Sequence, residues 1–214
     1  VFGVSKVCPV CRGQLEGPEK LVSDGLQRFL IVSQQVEHSQ QSWQALGPAQ
    51  QREMDAVIAL WQNAAQQGDE NAQLYLGVVY AEGHGVEKDN KEVVRWYRLA
   101  AEQGNSTAQF KLGNKYWRGE GVETNAAEAA RWYRFAAEQG NSNAQFNLGN
   151  QYLLGEGVAK NTKEAVRWFR FAAKQEHAQA QFNLGVSYDN SEGAEKNEEE
   201  AARWYRLAAE QGIA

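Results

Sequence analysis

The sequence predicts an all-α solenoid of stacked helix hairpins, and three observations carry that prediction. Trp96, Trp132, Trp168 and Trp204 recur every thirty-six residues, and the surroundings of each recur with them. Each unit holds two stretches with apolar residues three and four apart, separated by a Gly-rich segment, which is the pattern of two amphipathic helices joined by a turn. A unit this short cannot bury its own apolar face, so copies must stack on one another. Function is then expected on a surface of the stack rather than in one deep pocket.

The chain divides by composition. Residues 1–18 carry both cysteines and two of the three prolines and read as a separate, incomplete segment. Residues 19–68 read as an atypical lead-in pair that caps the stack. Glu19 to Ser39 has Leu21, Val22, Leu26, Phe29, Leu30 and Val36 at helical spacing, with Trp43 and Leu46 in the connection. Pro48 to Gln67 repeats second-helix positions one period upstream, Ala64 and Ala65 standing thirty-six residues before Ala100 and Ala101. Four regular units follow over residues 69–214, at about 69–104, 105–140, 141–176 and 177–212.

Within a unit, the first helix starts at Ala72, Ala108, Ala144 or Ala180 and carries Leu76 and Tyr80 or their equivalents on one face. Gly77, Gly113, Gly149 and Gly185 interrupt that face. Glycine costs about 1 kcal/mol in a helix relative to alanine, so its return predicts a notch where two helix backbones approach. Paired turn glycines come next, Gly83 and Gly85 in the first unit, weakened to Ser191 and Gly193 in the last. Asp89, Asn125, Asn161 and Asn197, each three residues before a glutamate, predict capping boxes at the second helix. That helix then presents Trp96, Tyr97, Ala100 and Ala101 or their counterparts, large rings for burial and small residues for close approach. Burial within one unit falls well short of the entropy lost on ordering it, so a lone unit should not fold.

These residues resemble the SEL-one-like repeat (SLR), a relative of the tetratricopeptide repeat, in sequence order from Ala72 to Gly212. The resemblance covers about two thirds of the chain. It implies a right-handed α-α superhelix whose first helices line a concave groove. Departures are local: Glu176 stands where a closing glycine is expected, and Asp189, Asn190, Ser191 and Ala194 alter the fourth turn. By the resemblance the groove presents Leu74, Val78, Phe110, Asn114, Trp117, Phe146, Asn150, Leu153, Phe182 and Val186. Trp117 is the anchor candidate, because Ala81, Leu153 and Asp189 stand at its place elsewhere; packing on Phe110 or Tyr116 is the alternative. Asn114 and Asn150 are candidates to grip a peptide backbone by paired hydrogen bonds. Phe110, Phe146 and Leu153 complete the candidate partner-binding set, the two phenylalanines being equally readable as packing between repeats.

Cys8 and Cys11, in Cys-Pro-Val-Cys-Arg, are the one constellation with chemistry in it. Their spacing suits half of a tetrahedral zinc site, and it resembles the last ligand pair of a RING-type zinc finger. Six upstream ligands would have to precede Val1, so the site is incomplete and zinc is expected only if a longer protein supplies them. A dithiol redox centre and two free thiols are the other readings. His38, His84 and His177 are better read as helix-end and turn residues than as ligands. Two cysteines so close do not make a disulfide framework, which points to a reducing, cytoplasmic setting.

With a formal net charge of −5 and no membrane-length apolar run, neither nucleic acid nor a membrane is an expected partner. Arg95 and Arg98 recur in every unit as cationic ladders, but glutamates three and four residues away make ordinary helix-surface pairing the simpler reading. No catalytic triad, carboxylate dyad or phosphate loop is present, and no cofactor is expected for this chain. The expected function is a non-enzymatic scaffold or adaptor that binds a protein or peptide. The alternative is the substrate-binding arm of a RING-type ubiquitin ligase. The last unit has no polar capping helix, so the chain reads as a piece of a longer protein with a C-terminal face through which copies could self-associate.

Overall fold

The computed structural model describes residues 17–213. Among them there are ten helices and no strand: α1 (Pro18–Ser39), α2 (Pro48–Gln66), α3 (Glu70–Glu82), α4 (Asn90–Glu102), α5 (Ser106–Arg118), α6 (Ala126–Glu138), α7 (Ser142–Leu154), α8 (Thr162–Lys174), α9 (Ala178–Asp189) and α10 (Glu198–Glu210). The chain forms two compact units, one through Gln103 and one from Gly104. In the first, α1 packs on α2, α2 on α3 and α3 on α4; in the second each helix from α5 to α10 packs on the next. The fold is the all-α stack of hairpins expected from the repeat.

Helix starts follow the cap residues. At the first helices Asp69, Asn105 and Asn141 accept from the N–H three residues on, at 2.8, 2.9 and 3.0 Å. His177 holds the same place at α9, accepting from Ala180 N through Nδ1 at 3.3 Å. At the second helices Asp89, Asn125, Asn161 and Asn197 accept from the N–H of Glu92, Glu128, Glu164 and Glu200 at 3.0–3.2 Å.

Only half of each expected capping box forms. The cap residue's own N–H is already taken by a tyrosine carbonyl of the preceding helix, as in Asn125 N to Tyr116 O at 2.9 Å and Asn161 N to Tyr152 O at 2.8 Å. The glutamate therefore has no donor to return to, and it pairs instead with the arginine three residues on, at 3.1–3.6 Å in the four repeats.

Two aromatic positions divide the core between them. The ring one residue after the tryptophan fills the glycine notch of its own hairpin. A Cβ on Gly113, Gly149 or Gly185 would stand 2.7, 2.6 or 2.7 Å from Tyr133, Phe169 or Tyr205, closer than packed atoms approach. The notch thus receives a ring and not, as the sequence suggested, a second backbone. The tryptophans of the last two hairpins reach across to the previous one: Trp168 is buried with Ala129, Tyr133 and Ala136, and with Leu148 of its own hairpin, and Trp204 with Ala165, Phe169 and Ala172, and with Leu184 of its own. In these two hairpins the largest ring is therefore buried largely on a neighbour, in keeping with the expectation that a lone unit should not fold.

The lead-in pair uses the same device. Gly25 of α1 faces the Trp61 ring of α2, and Trp61 lies one period before Tyr97. A second cluster of Val32, Val36 and Met54 packs with Phe29, Trp43 and Leu46.

A polar ladder runs through this interior. Gln73, Gln145 and Gln181 are buried and donate to the carbonyls of Ala65, Ala137 and Ala173 at 3.2, 3.0 and 3.2 Å. Their oxygens accept from Gln103, Gln175 and Gln211 at 2.7, 2.8 and 2.8 Å. Each pair ties the end of one second helix to the hairpin that follows, and satisfied amides of this kind fix register in an otherwise apolar interface.

Candidate functional site: a groove on the first helices of the second unit

The groove is built by α5 and α7, which are equal in length because the same signals bound them. Asn105 and Asn141 cap their starts, and Gly119 and Gly155 end them in the left-handed conformation at φ 71° and 79°. Positions 36 apart therefore stand at the same level on the two helices. Between them opens a groove of about 320 Å³ lined by Asn114, Trp117 and Arg118 of α5, by Asn147, Asn150, Gln151 and Leu154 of α7, and by Tyr133 and Glu156.

Asn114, Trp117 and Asn150, three of the residues singled out from sequence, come together here. Trp117 is 39 % exposed. Asn114 Oδ1 accepts from the Tyr133 hydroxyl at 2.8 Å and from Asn147 Nδ2 at 3.4 Å, and Asn150 Oδ1 accepts from Asn183 Nδ2 at 3.2 Å. Both amide oxygens are thus engaged within the protein. An amide oxygen accepts through two lone pairs, so paired hydrogen bonds to a peptide backbone would have to share it with these partners. Burial pushes the Tyr133 phenol up to about 12, which keeps it a hydroxyl donor at ordinary pH.

Phe110, Phe146 and Leu153 lie elsewhere. Phe110 packs into the Ala129–Leu148 cluster with its ring 6.1 Å from Tyr133. Phe146 packs into the next cluster, 6.0 Å from Phe169 and stacked on His177 at 4.7 Å, and Leu153 joins the same cluster. Phe182 stands 5.5 Å from Tyr205, and Leu74, Val78 and Val186 are half-buried.

Sequence reasoning missed Gln151, Leu154 and Glu156. Leu154 is 61 % exposed where the other units carry Glu82, Arg118 and Asn190. Gln151 stands where they carry Val79, Lys115 and Ser187. The test that picked out Trp117, a residue the repeat does not demand, would have found both.

The arginine ladders are absorbed by the repeat itself. Besides the glutamate pairs, Arg95, Arg131, Arg167 and Arg203 lie 4.7–5.7 Å from the centroids of the adjoining tryptophan rings. Arg134 and Arg170 donate to the hydroxyls of Tyr152 and Tyr188 at 2.6 and 2.8 Å.

Cys8 and Cys11 lie outside the described residues. Among the described residues no group of three His, Cys, Asp or Glu side chains is placed to hold a metal, so a zinc ligand set is not provided there. His38 binds its own helix at Gln34 O, His177 is a helix cap, and the His84 ring lies 4.3 Å from that of Trp43. Burial lowers the pKa of both His84 and His177. No helix among the described residues is long and apolar enough to cross a membrane.

A family model described as the Sel1 repeat matches residues 71–105, 106–141, 142–177 and 178–213. No curated protein matches the chain. Among solved structures, the chain is 36 % identical to c5321, a protective antigen of uropathogenic Escherichia coli displaying an SLR fold, over 74 % of this chain and 34 % of that one, with a TM-score of 0.72. It is 35 % identical to a Sel1 repeat protein from Oxalobacter formigenes, over 78 % of this chain and 71 % of that one, with a TM-score of 0.67. The chain thus spans about a third of the Escherichia coli protein. Neither likeness lends support to a zinc-finger tail.

Proposed function

Because the chain belongs to the Sel1 repeat family, whose members are protein-interaction scaffolds, we propose that it is a non-enzymatic adaptor that holds a segment of a partner protein in the α5–α7 groove. The observation that carries this reading is the gathering of an exposed tryptophan, two asparagines and the exposed Leu154 around one opening. Trp117 and Leu154 supply apolar area to a docked segment, and Asn114 and Asn150 supply donors to its backbone carbonyls. Large aromatics in partly enclosed sites dominate interface energetics. The ubiquitin-ligase reading rests on Cys8 and Cys11 alone and gains nothing from the groove.

The test uses substitutions that the repeat itself tolerates. Ala81 stands at the place of Trp117, and Val78 and Val186 at the place of Asn150, so Trp117→Ala with Asn150→Val should leave the fold intact. Loss of an anchoring tryptophan should weaken partner binding by roughly thirtyfold, as hot-spot truncations do. Affinity purification in which the double variant retains the wild-type partners in full would refute the groove.

A further inference from the structure

We infer that the groove takes a basic side chain of the partner, lysine or arginine, at the place where the preceding repeat carries a lysine of its own. The inference rests on the reading of the groove as a partner site. In the second repeat Lys115 donates to Glu120 at 2.6 Å. The intervening turn closes with Gly119 N and Glu120 N bonded to Lys115 O at 2.9 and 3.1 Å. The third repeat has the same turn, Gly155 N and Glu156 N bonded to Gln151 O at 2.8 and 3.0 Å. Residues 151 and 156 therefore hold the relation of 115 and 120. The acid is retained there and the cation is gone.

Both groups left behind are acceptors. Gln151 is 2 % exposed; its Nε2 donates to Ala126 O at 3.4 Å, while its Oε1 is buried without a donor. Glu156 is exposed and has no ion pair among the described residues. Both line the groove beside Trp117. A buried carbonyl without a donor is costly to leave unmade, an ammonium brings three donors and a guanidinium five, and the face of an indole attracts a cation. Arg118, the cation already on this groove, lies 3.8 Å from Glu120, whose carboxylate it shares with Lys115, and Glu156 is left without a cation among the described residues. The fourth repeat keeps the acid as Glu192 but carries the short Ser187 in place of the glutamine, its hydroxyl already bonded to its own helix at Asn183 O, 2.8 Å away.

The test presents the full chain, at physiological salt, with pools of acetylated and amidated nonapeptides that share randomised flanks and differ at a fixed central residue: lysine, arginine, norleucine or glutamate. Lysine and arginine pools should be retained about tenfold more than norleucine, as a charge-assisted bond to a buried acceptor implies. Gln151→Lys restores the residue that the second repeat carries and should erase the preference without lowering Tm, and Glu156→Gln should reduce it. Glu138→Gln, on an exposed acid that does not line the groove, should leave it unchanged. A preference that survives Gln151→Lys, or that falls equally with Glu138→Gln, overturns the inference. Retention of all pools alike, lost in Trp117→Ala, overturns it while sparing the groove; retention of none overturns both.

Discussion

Gly149→Ala and Gly185→Ala are the same substitution at the same place in two repeats, and the packing predicts different results. In both, alanine gains about 1 kcal/mol of helix propensity over glycine. In both, the new Cβ meets a ring, at 2.6 Å from Phe169 or 2.7 Å from Tyr205. Ordinary contact begins near 3.4 Å, so each ring must retreat by about 0.7–0.8 Å. Phe169 is fully buried between Ala165, Ala172 and Leu184, all of them inaccessible, and it has nowhere to go. Overpacking a close-packed site costs about 1–3 kcal/mol, so after the propensity gain Gly149→Ala should lose up to about 2 kcal/mol net. Tyr205 lies on the last described helix and is half-buried; it can swing outward, and Gly185→Ala should be neutral or gain up to about 1 kcal/mol. Urea unfolding followed by far-ultraviolet circular dichroism measures both. Phe169→Leu introduced beside Gly149→Ala should recover part of the loss. Equal effects of the two glycine substitutions would refute the notch as the seat of the ring.

Three further outcomes concern the caps, turns and buried amides. Glu176 and Ser191 hold φ of 61° and 58° without being glycine, and glycine at either should stabilise by about 0.5–1 kcal/mol, since the left-handed region is strained for other residues; an unchanged urea midpoint would contradict this. His177 caps α9 as a neutral acceptor with its pKa lowered by burial, so the unfolded chain binds the proton first and stability falls as pH drops from about 6.5 toward the lower native value. His84 acts in the same direction. His177→Asn, the residue at the equivalent Asn141, should therefore shrink the fall in Tm between pH 7.5 and 5.5 without abolishing it. Gln145→Leu removes the donor to the Ala137 carbonyl and should cost about 1–3 kcal/mol in urea unfolding, whereas Asn143→Ala, two residues earlier at an exposed position, should stay within about 0.5 kcal/mol of wild type.

The hairpins were legible because each states its own boundaries: an Asp or Asn cap at the second helix, a Leu-Gly pair, a ring pair and, in all but the third, a closing glycine. What the rings do was less legible. A helical glycine signals close approach, but only the packed structure tells whether a backbone or a side chain approaches, and Phe169 at Gly149 answers for the ring. The glutamates of the capping boxes were misassigned because the donor they would have served is claimed by a tyrosine carbonyl of the preceding helix. The buried glutamines were overlooked for a related reason. Glutamine reads as surface, and burial becomes possible only when Gln175 and the Ala137 carbonyl arrive together to satisfy both ends of Gln145. At the groove, Trp117 stood out as an exception to the repeat because it is a large ring, while Gln151 and Leu154 are exceptions of ordinary residue types that the same comparison of units also exposes; what the sequence does not tell is that Gln151 is buried and Leu154 exposed.

Where a partner sits is the central claim, and nuclear magnetic resonance of the full chain with a bound lysine-centred peptide measures that directly. The indole N–H of Trp117 and the side-chain amides of Asn114, Asn150 and Gln151 should shift together and saturate at one concentration, with the indoles of Trp132 and Trp168 unmoved. Shifts that gather instead around Arg131 and Phe135 on α6, or Phe171 on α8, would place the partner on the second helices and contradict the groove.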